Sequence, residues 1–174
     1  MKKILCIIAA VCVLVCTACT NNASVEPQKD KANETQDPQI IETTLYFSDE
    51  QAISLVGETR EFDAKTDNLA KLVMHEIIKG PESENLINLI PEGTTLNAVS
   101  VDDGLCTVDL SMDFIEKAYG TLTDTLCVYS IVNSLSELEG VDEVQFLIDG
   151  EIKELFNHIM INEPLERDAS YIVK

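Results

Sequence analysis

The spacing of apolar and polar positions changes period several times along this chain, and each change marks an element. Residues 41–47 alternate, with Leu45 and Phe47 on one face, which predicts a first strand. A second β segment is predicted over 53–62, weakened where Gly57 interrupts it. From Asp67 the period becomes helical. Leu69, Leu72, Val73 and Ile77 form one stripe, Thr66 or Asp67 can cap its start, and Gly80-Pro81 ends it. Ile90-Pro91-Glu92-Gly93-Thr94 then turns the chain into a hairpin over 96–110. Asp103-Gly104 suits a type I′ turn, whose positive φ values these two residues tolerate. Pairing about that turn sets Val101 opposite Cys106, Val99 opposite Val108, Ser100 opposite Thr107 and Ala98 opposite Asp109. One face is then apolar and the other mostly polar, and a slip of one residue would scramble both.

Ser111 is placed to cap a short helix over 112–118, and Gly120 separates it from a longer one. There Thr121-x-x-Asp124 reads as a capping box, and Val128, Ile131, Val132, Leu135 and Leu138 form a buried face closed by Gly140. Residues 144–148 are a strong strand, and Asp149-Gly150 a second tight turn toward a short strand ending near Leu155. Residues 159–174, with Pro164 and scattered charge, are expected to be irregular and partly ordered. The order ββ-α-ββ-α-β predicts an α+β fold of two layers, a small mixed or antiparallel sheet with two main helices on one face.

The N-terminus reads as an address. Lys2-Lys3 and the apolar run 4–15 form a charged region and a hydrophobic region, too short for a membrane span of roughly 20 residues. The run ends in Cys16-Thr17-Ala18-Cys19, and small residues before a cysteine resemble the bacterial lipobox. Cys19 alone has a small residue directly ahead of it. We therefore expect cleavage after Ala18 and lipid attachment at Cys19, against the alternatives of an ordinary secretory signal cut near Ala18 and of an uncleaved anchor. Cys16 stands where Leu is usual. Acyl chains on Cys19 would hold the protein on the membrane. Residues 20–39 have Val25 as their only large apolar side chain and read as a flexible tether spanning on the order of 25 Å. Asn22-Ala23-Ser24 and Asn33-Glu34-Thr35 match glycosylation sequons and are read as chance matches. The expected organisation is a signal peptide over 1–18, a tether over 19–40, one domain over 41–168 and a tail over 169–174.

Charge narrows the partners. The net charge is −19, with 31 Asp and Glu against 12 Lys and Arg, and loss of the first 18 residues with Lys2 and Lys3 would make it −21. Such a chain repels phosphate backbones, so nucleic acid is not an expected partner. Only Cys106 and Cys127 fall in the body, too few for a disulfide framework. Both fall on or beside buried faces, where a thiol is inert, and they could bridge only if their Cβ atoms approached to about 4 Å. His75 lacks a second histidine four residues on, so the zinc-protease helix pattern is absent, and it reads as a solvated or rim residue; His158 is the other histidine. Gly-x-Ser-x-Gly, phosphate-loop and EF-hand spacings are missing too. No catalytic, cofactor or metal residue is assigned. Carboxylate pairs such as Asp102/Asp103 and Asp109/Asp113 arise by chance among 31 acids, whereas a wall-glycan hydrolase or binder would need two carboxyls about 5 to 10 Å apart in a cleft. Arg60 and Arg167, the only arginines, are expected to pair with carboxylates, and Asn133 to bond a loop backbone.

Several motifs occur together in order: Leu45-Tyr46-Phe47, Arg60, Gly80-Pro81, Ile90-Pro91-x-Gly93-Thr94-x-Leu96, Val108-Asp109-Leu110-Ser111 with Phe114, Ser130-Ile131-Val132-Asn133-Ser134-Leu135, and Ile148-Asp149-Gly150. Together they resemble the GerM-type (GerMN) domain of sporulation and germination lipoproteins, over about 41–168. The resemblance implies a small fold akin to ring-building motifs and a part in an envelope assembly. The family's founding member has two such domains and this chain has room for one. Ser134 stands where Thr is usual. The expected role is a non-enzymatic, lipid-anchored module outside the cytoplasmic membrane that binds a cell-envelope protein through a sheet edge or helix face. The alternative is the glycan binder or hydrolase.

Overall fold

A computed structural model describes residues 39–66, 68–117 and 119–173. The signal, the Cys19 anchor, the tether up to residue 38 and the Asp67 cap lie outside the described residues.

Strands β1 (Ile40–Asp49) and β2 (Leu55–Asp63) form an antiparallel ribbon, and β3 (Leu86–Ile87) joins β1 from the other side, giving the order β2-β1-β3. Gly57 does not interrupt β2. It pairs with Tyr46, and a Cβ there would stand 2.7 Å from Thr44 Cγ2, so the strand needs a residue without a side chain at that point. A second sheet has the order β4-β5-β6-β9, from β4 (Leu96–Asp102), β5 (Gly104–Leu110), β6 (Val141–Ile148) and β9 (Leu165–Glu166). β5 and β6 are parallel, joined through α2 (Asp113–Glu116) and α3 (Thr121–Leu135). The short strands β7 (Leu155–Phe156) and β8 (Ile159–Met160) pair with each other. Helix α1 (Leu69–Lys79) packs against β1, β4 and α3.

The predicted hairpin register is the observed one in all four pairs, about Asp103 and Gly104 at φ 46° and 86°. Its apolar face is less buried than the pattern implied. Cys106 and Val108 are buried with Val99, but Val101 is 44% exposed because the outer strand β4 is only partly covered.

Helix ends depart from the predicted caps. Asn68 caps α1, its side chain accepting from the Lys71 N–H, and Leu72 of the predicted stripe is exposed while Ala70 and Met74 are buried. Helix α2 starts after Met112, since the Ser111 hydroxyl is engaged with the Thr95 N–H (3.0 Å) and with Asp113. The capping box does not form. Gly120 is the cap of α3, and Asp124, fully buried, reaches back to the Tyr119 N–H at 3.0 Å. Helix α3 ends at Leu135, with Gly140 serving the turn into β6 at φ 83°.

The α+β class and the two main helices stand as expected, with the strands divided among small sheets. Helix α3 explains that division. Every residue from Leu126 to Leu135 except Tyr129 is buried, so it offers no solvent stripe and packs against β1, α1 and β6. The Ser134 hydroxyl donates to the Ser130 carbonyl (2.6 Å) and accepts the Tyr46 N–H (2.8 Å), standing where a neighbouring strand would otherwise satisfy β1. Phe114, Phe146 and Phe156 stack at the other end of the core, Phe114 and Phe156 with centroids 4.7 Å apart. Each such burial stabilises by about 1.5–3 kcal/mol. Beyond residue 159, expected to be irregular, β8, β9 and a 3-10 turn (Ala169–Tyr171) are formed, and Ile172 bridges back to Leu55.

Candidate interaction surface

The phase of the β1–β2 ladder decides which backbone groups of β2 are left over. The Asp49 N–H donates to the Ser54 carbonyl at 3.0 Å and the Ala64 N–H to the Gln39 carbonyl at 2.7 Å. Those pairs and every second pair between them exchange hydrogen bonds, because antiparallel ladders alternate bonded and non-bonded pairs. Leu55, Gly57, Thr59 and Glu61 therefore direct their N–H and C=O away from β1. Leu55 confirms the phase, since its outward carbonyl accepts the Val173 N–H at 2.9 Å. Among the described residues, no backbone partner meets Gly57, Thr59 or Glu61 on that side, and all three residues are exposed.

A groove of about 660 Å³ runs beside this edge, lined by residues 59–63 of β2 and by Leu72, His75, Glu76 and Lys79 of α1, with Glu82 at one end. Its floor is held by Arg60, 7% exposed, which spends its fork on carboxylates. Nη2 donates to Glu58 at 2.5 Å, Nη1 to Glu76 at 2.5 Å, Glu82 lies at 3.3 Å, and Nη2 also reaches the Gly80 carbonyl at 3.2 Å. The guanidinium stands 5.9 Å from the Phe47 ring centre. Burial pushes the Glu58 carboxyl up. The Arg60 hydrogen bond and the N–H groups of Glu82 and Ser83 outweigh this and hold it below the usual range. Arg60 thus fastens the end of α1 and the loop after it to β2. Around the groove Arg60 and Lys79 face Glu61, Asp63, Glu76 and Glu82, which leaves it net negative.

The other arginine is paired as expected. Arg167 bonds Glu137, and its Nη2 donates to the Tyr46 hydroxyl at 2.9 Å, which itself donates to Glu137 at 2.7 Å. Burial pushes the Tyr46 phenol up, with the bond to Glu137 adding to it. Asn133, buried, bonds the Asp168 backbone. His75 and His158 are exposed, His75 at the groove rim.

The carboxylates paired along the sequence are engaged with other groups or exposed to solvent. Asp109 accepts the Gly150 N–H at 3.0 Å, Asp113 accepts the Ser111 hydroxyl, and Asp102 and Asp103 sit exposed at a turn. Among the described residues, no three His, Cys, Asp or Glu side chains are grouped to hold a metal ion, and no helix is long and apolar enough to cross a membrane. Cys106 and Cys127 are free and buried, burial pushing Cys106 up to about 12 and Cys127 higher still. Sequence reasoning missed the glutamates around Arg60. The alternation Glu58-x-Arg60 on one strand face was the available signal.

The family model Germane, described as sporulation and spore germination, matches residues 44–154. No curated protein matches the chain. Among solved structures, a candidate lipoprotein from Clostridium perfringens is similar at 20% identity and TM-score 0.54, over 75% of this chain and 89% of that one. The first GerMN domain of the sporulation protein GerM from Bacillus subtilis is similar at 21% identity and TM-score 0.58, over 74% of this chain and 96% of that one. The tandem GerMN domains of the same protein give 18% identity and TM-score 0.61, over 84% of this chain, which spans 51% of that one. At these identities the likeness to solved structures is one of fold.

Proposed function

Because the chain belongs to the Germane family of sporulation and spore germination domains, we propose that it is a non-enzymatic interaction module held outside the cytoplasmic membrane by a lipid on Cys19, working in a sporulation or germination envelope assembly. The observation that carries this reading is the backbone row of Gly57, Thr59 and Glu61, without a backbone partner among the described residues and beside an open groove, since a free strand edge is a template for a partner. The motif residues support it from the other side. Asn133, Ser134 and Arg60 are spent on holding the domain together, each with its hydrogen-bonding groups committed to the chain itself.

Fractionation and crosslinking of the full chain in sporulating cells test the reading. Wild type is expected in the membrane fraction, degraded by protease added to intact protoplasts, and crosslinked to a protein partner. Cys19→Ala is expected in the medium. A Cys19→Ala protein that stays with the membrane overturns the anchor. Recovery of no protein partner, while the purified protein binds or cleaves wall fragments, overturns the interaction role in favour of glycan chemistry.

A further inference from the structure

We propose that the free edge of β2 takes an extended, lysine- or arginine-bearing segment of another protein as an added strand, a deepening that rests on the interaction role above. Three observations converge on it. The first is the row itself, where Gly57, Thr59 and Glu61 present N–H and C=O outward without a backbone partner among the described residues. The second is that this same edge already receives one segment of chain. Ile172 bridges Leu55 in parallel, and the Val173 N–H bonds the Leu55 carbonyl, so the first outward residue of the row is paired and the following ones continue its line.

The third is charge. Glu76 and Glu82 across the groove are taken up by Arg60 and Lys79, so Glu61 and Asp63 on the strand are the carboxylates that give the groove its excess negative charge. An incoming strand with cations at alternate positions would meet carboxylates, whereas a second copy of this chain, itself at −19, would be repelled.

The test places a photocrosslinking side chain at Thr59 or Glu61 of the full chain in its native membrane, with Leu122 and Ile152 as exposed positions elsewhere. Crosslinks are expected from 59 and 61, to a peptide containing Lys or Arg. Thr59→Pro removes one outward N–H while leaving the β1 ladder intact, and is expected to reduce the yield from position 61 about tenfold. Thr59→Ala keeps the N–H and is expected to match wild type. Glu61→Lys is expected to reduce the yield from position 59 and serves if Thr59→Pro proves unfolded by circular dichroism. Crosslinks only from 122 or 152 would leave the interaction role standing and overturn the edge as its seat. So would an acidic contact peptide, a crosslink to a second copy, or a yield unmoved by Thr59→Pro and Glu61→Lys.

Discussion

Asn133 and Asp168 exchange two hydrogen bonds as if they were neighbours in a sheet: the Asn133 Nδ2 donates to the Asp168 carbonyl at 3.0 Å, and the Asp168 N–H donates to Asn133 Oδ1 at 2.9 Å. Asn133 is fully buried and Asp168 half-buried, so losing the amide removes the partner of both backbone groups of Asp168. Asn133→Ala is expected to cost about 2–4 kcal/mol in urea unfolding. In native-state hydrogen exchange it is expected to free the Asp168 amide before the core amides of β1. A loss confined to a few tenths of that, with Asp168 still protected, would mean the pair holds nothing.

Glu58 supplies a pH-dependent prediction. Its folded-state pKa is depressed below the ordinary 4.5, so its contribution to stability is complete above that value and is lost as pH falls through the lower folded-state value. Glu58→Gln is expected to cost about 2 kcal/mol at pH 7 and to flatten the decline in stability below pH 4.5. Melting temperatures across pH 3 to 7 check both, and parallel curves for the two proteins would contradict the assignment.

At the hairpin turn, Gly104 has φ 86°, and a Cβ there would come 2.5 Å from Asp142 Oδ2. Gly104→Ala is expected to destabilise by about 1–2 kcal/mol from backbone strain, with the contact to Asp142 adding to the loss. Asp142→Ala in the same chain is expected to relieve the contact but leave the strain, so thermal melts of the double variant should recover only part of the loss.

Cys106 and Cys127 are expected to resist alkylation at pH 8 in the folded protein, because burial raises both thiols and the Asp124 carboxylate raises Cys127 further. Both should become reactive together across the urea transition. Mass spectrometry of the native protein after iodoacetamide treatment gives the answer, and a singly modified species would show that one thiol is reached without unfolding.

The hairpin about Asp103-Gly104 was fully legible in the sequence, because turn chemistry and alternation act over a few residues and agree. The same locality made the helices and Gly80-Pro81 legible, and misled at Leu72 and at Thr121-x-x-Asp124, where packing and Gly120 decided the outcome. The pairing of both arginines could be expected from composition, but their partners could not. Arg60 finds Glu76 16 positions on, and Asn133 finds Asp168 35 positions on.

By itself the sequence determined the α+β class, one hairpin register and the residue types at turns, all set by steric preferences of near neighbours. Only the tertiary structure decided that α3 is buried along nearly all of Leu126 to Leu135, that Ile172 and Val173 cover Leu55, and that Gly57, Thr59 and Glu61 are left open among the described residues. Which edge of a sheet stays free depends on where distant segments come to rest, and that is a property of the whole packed chain.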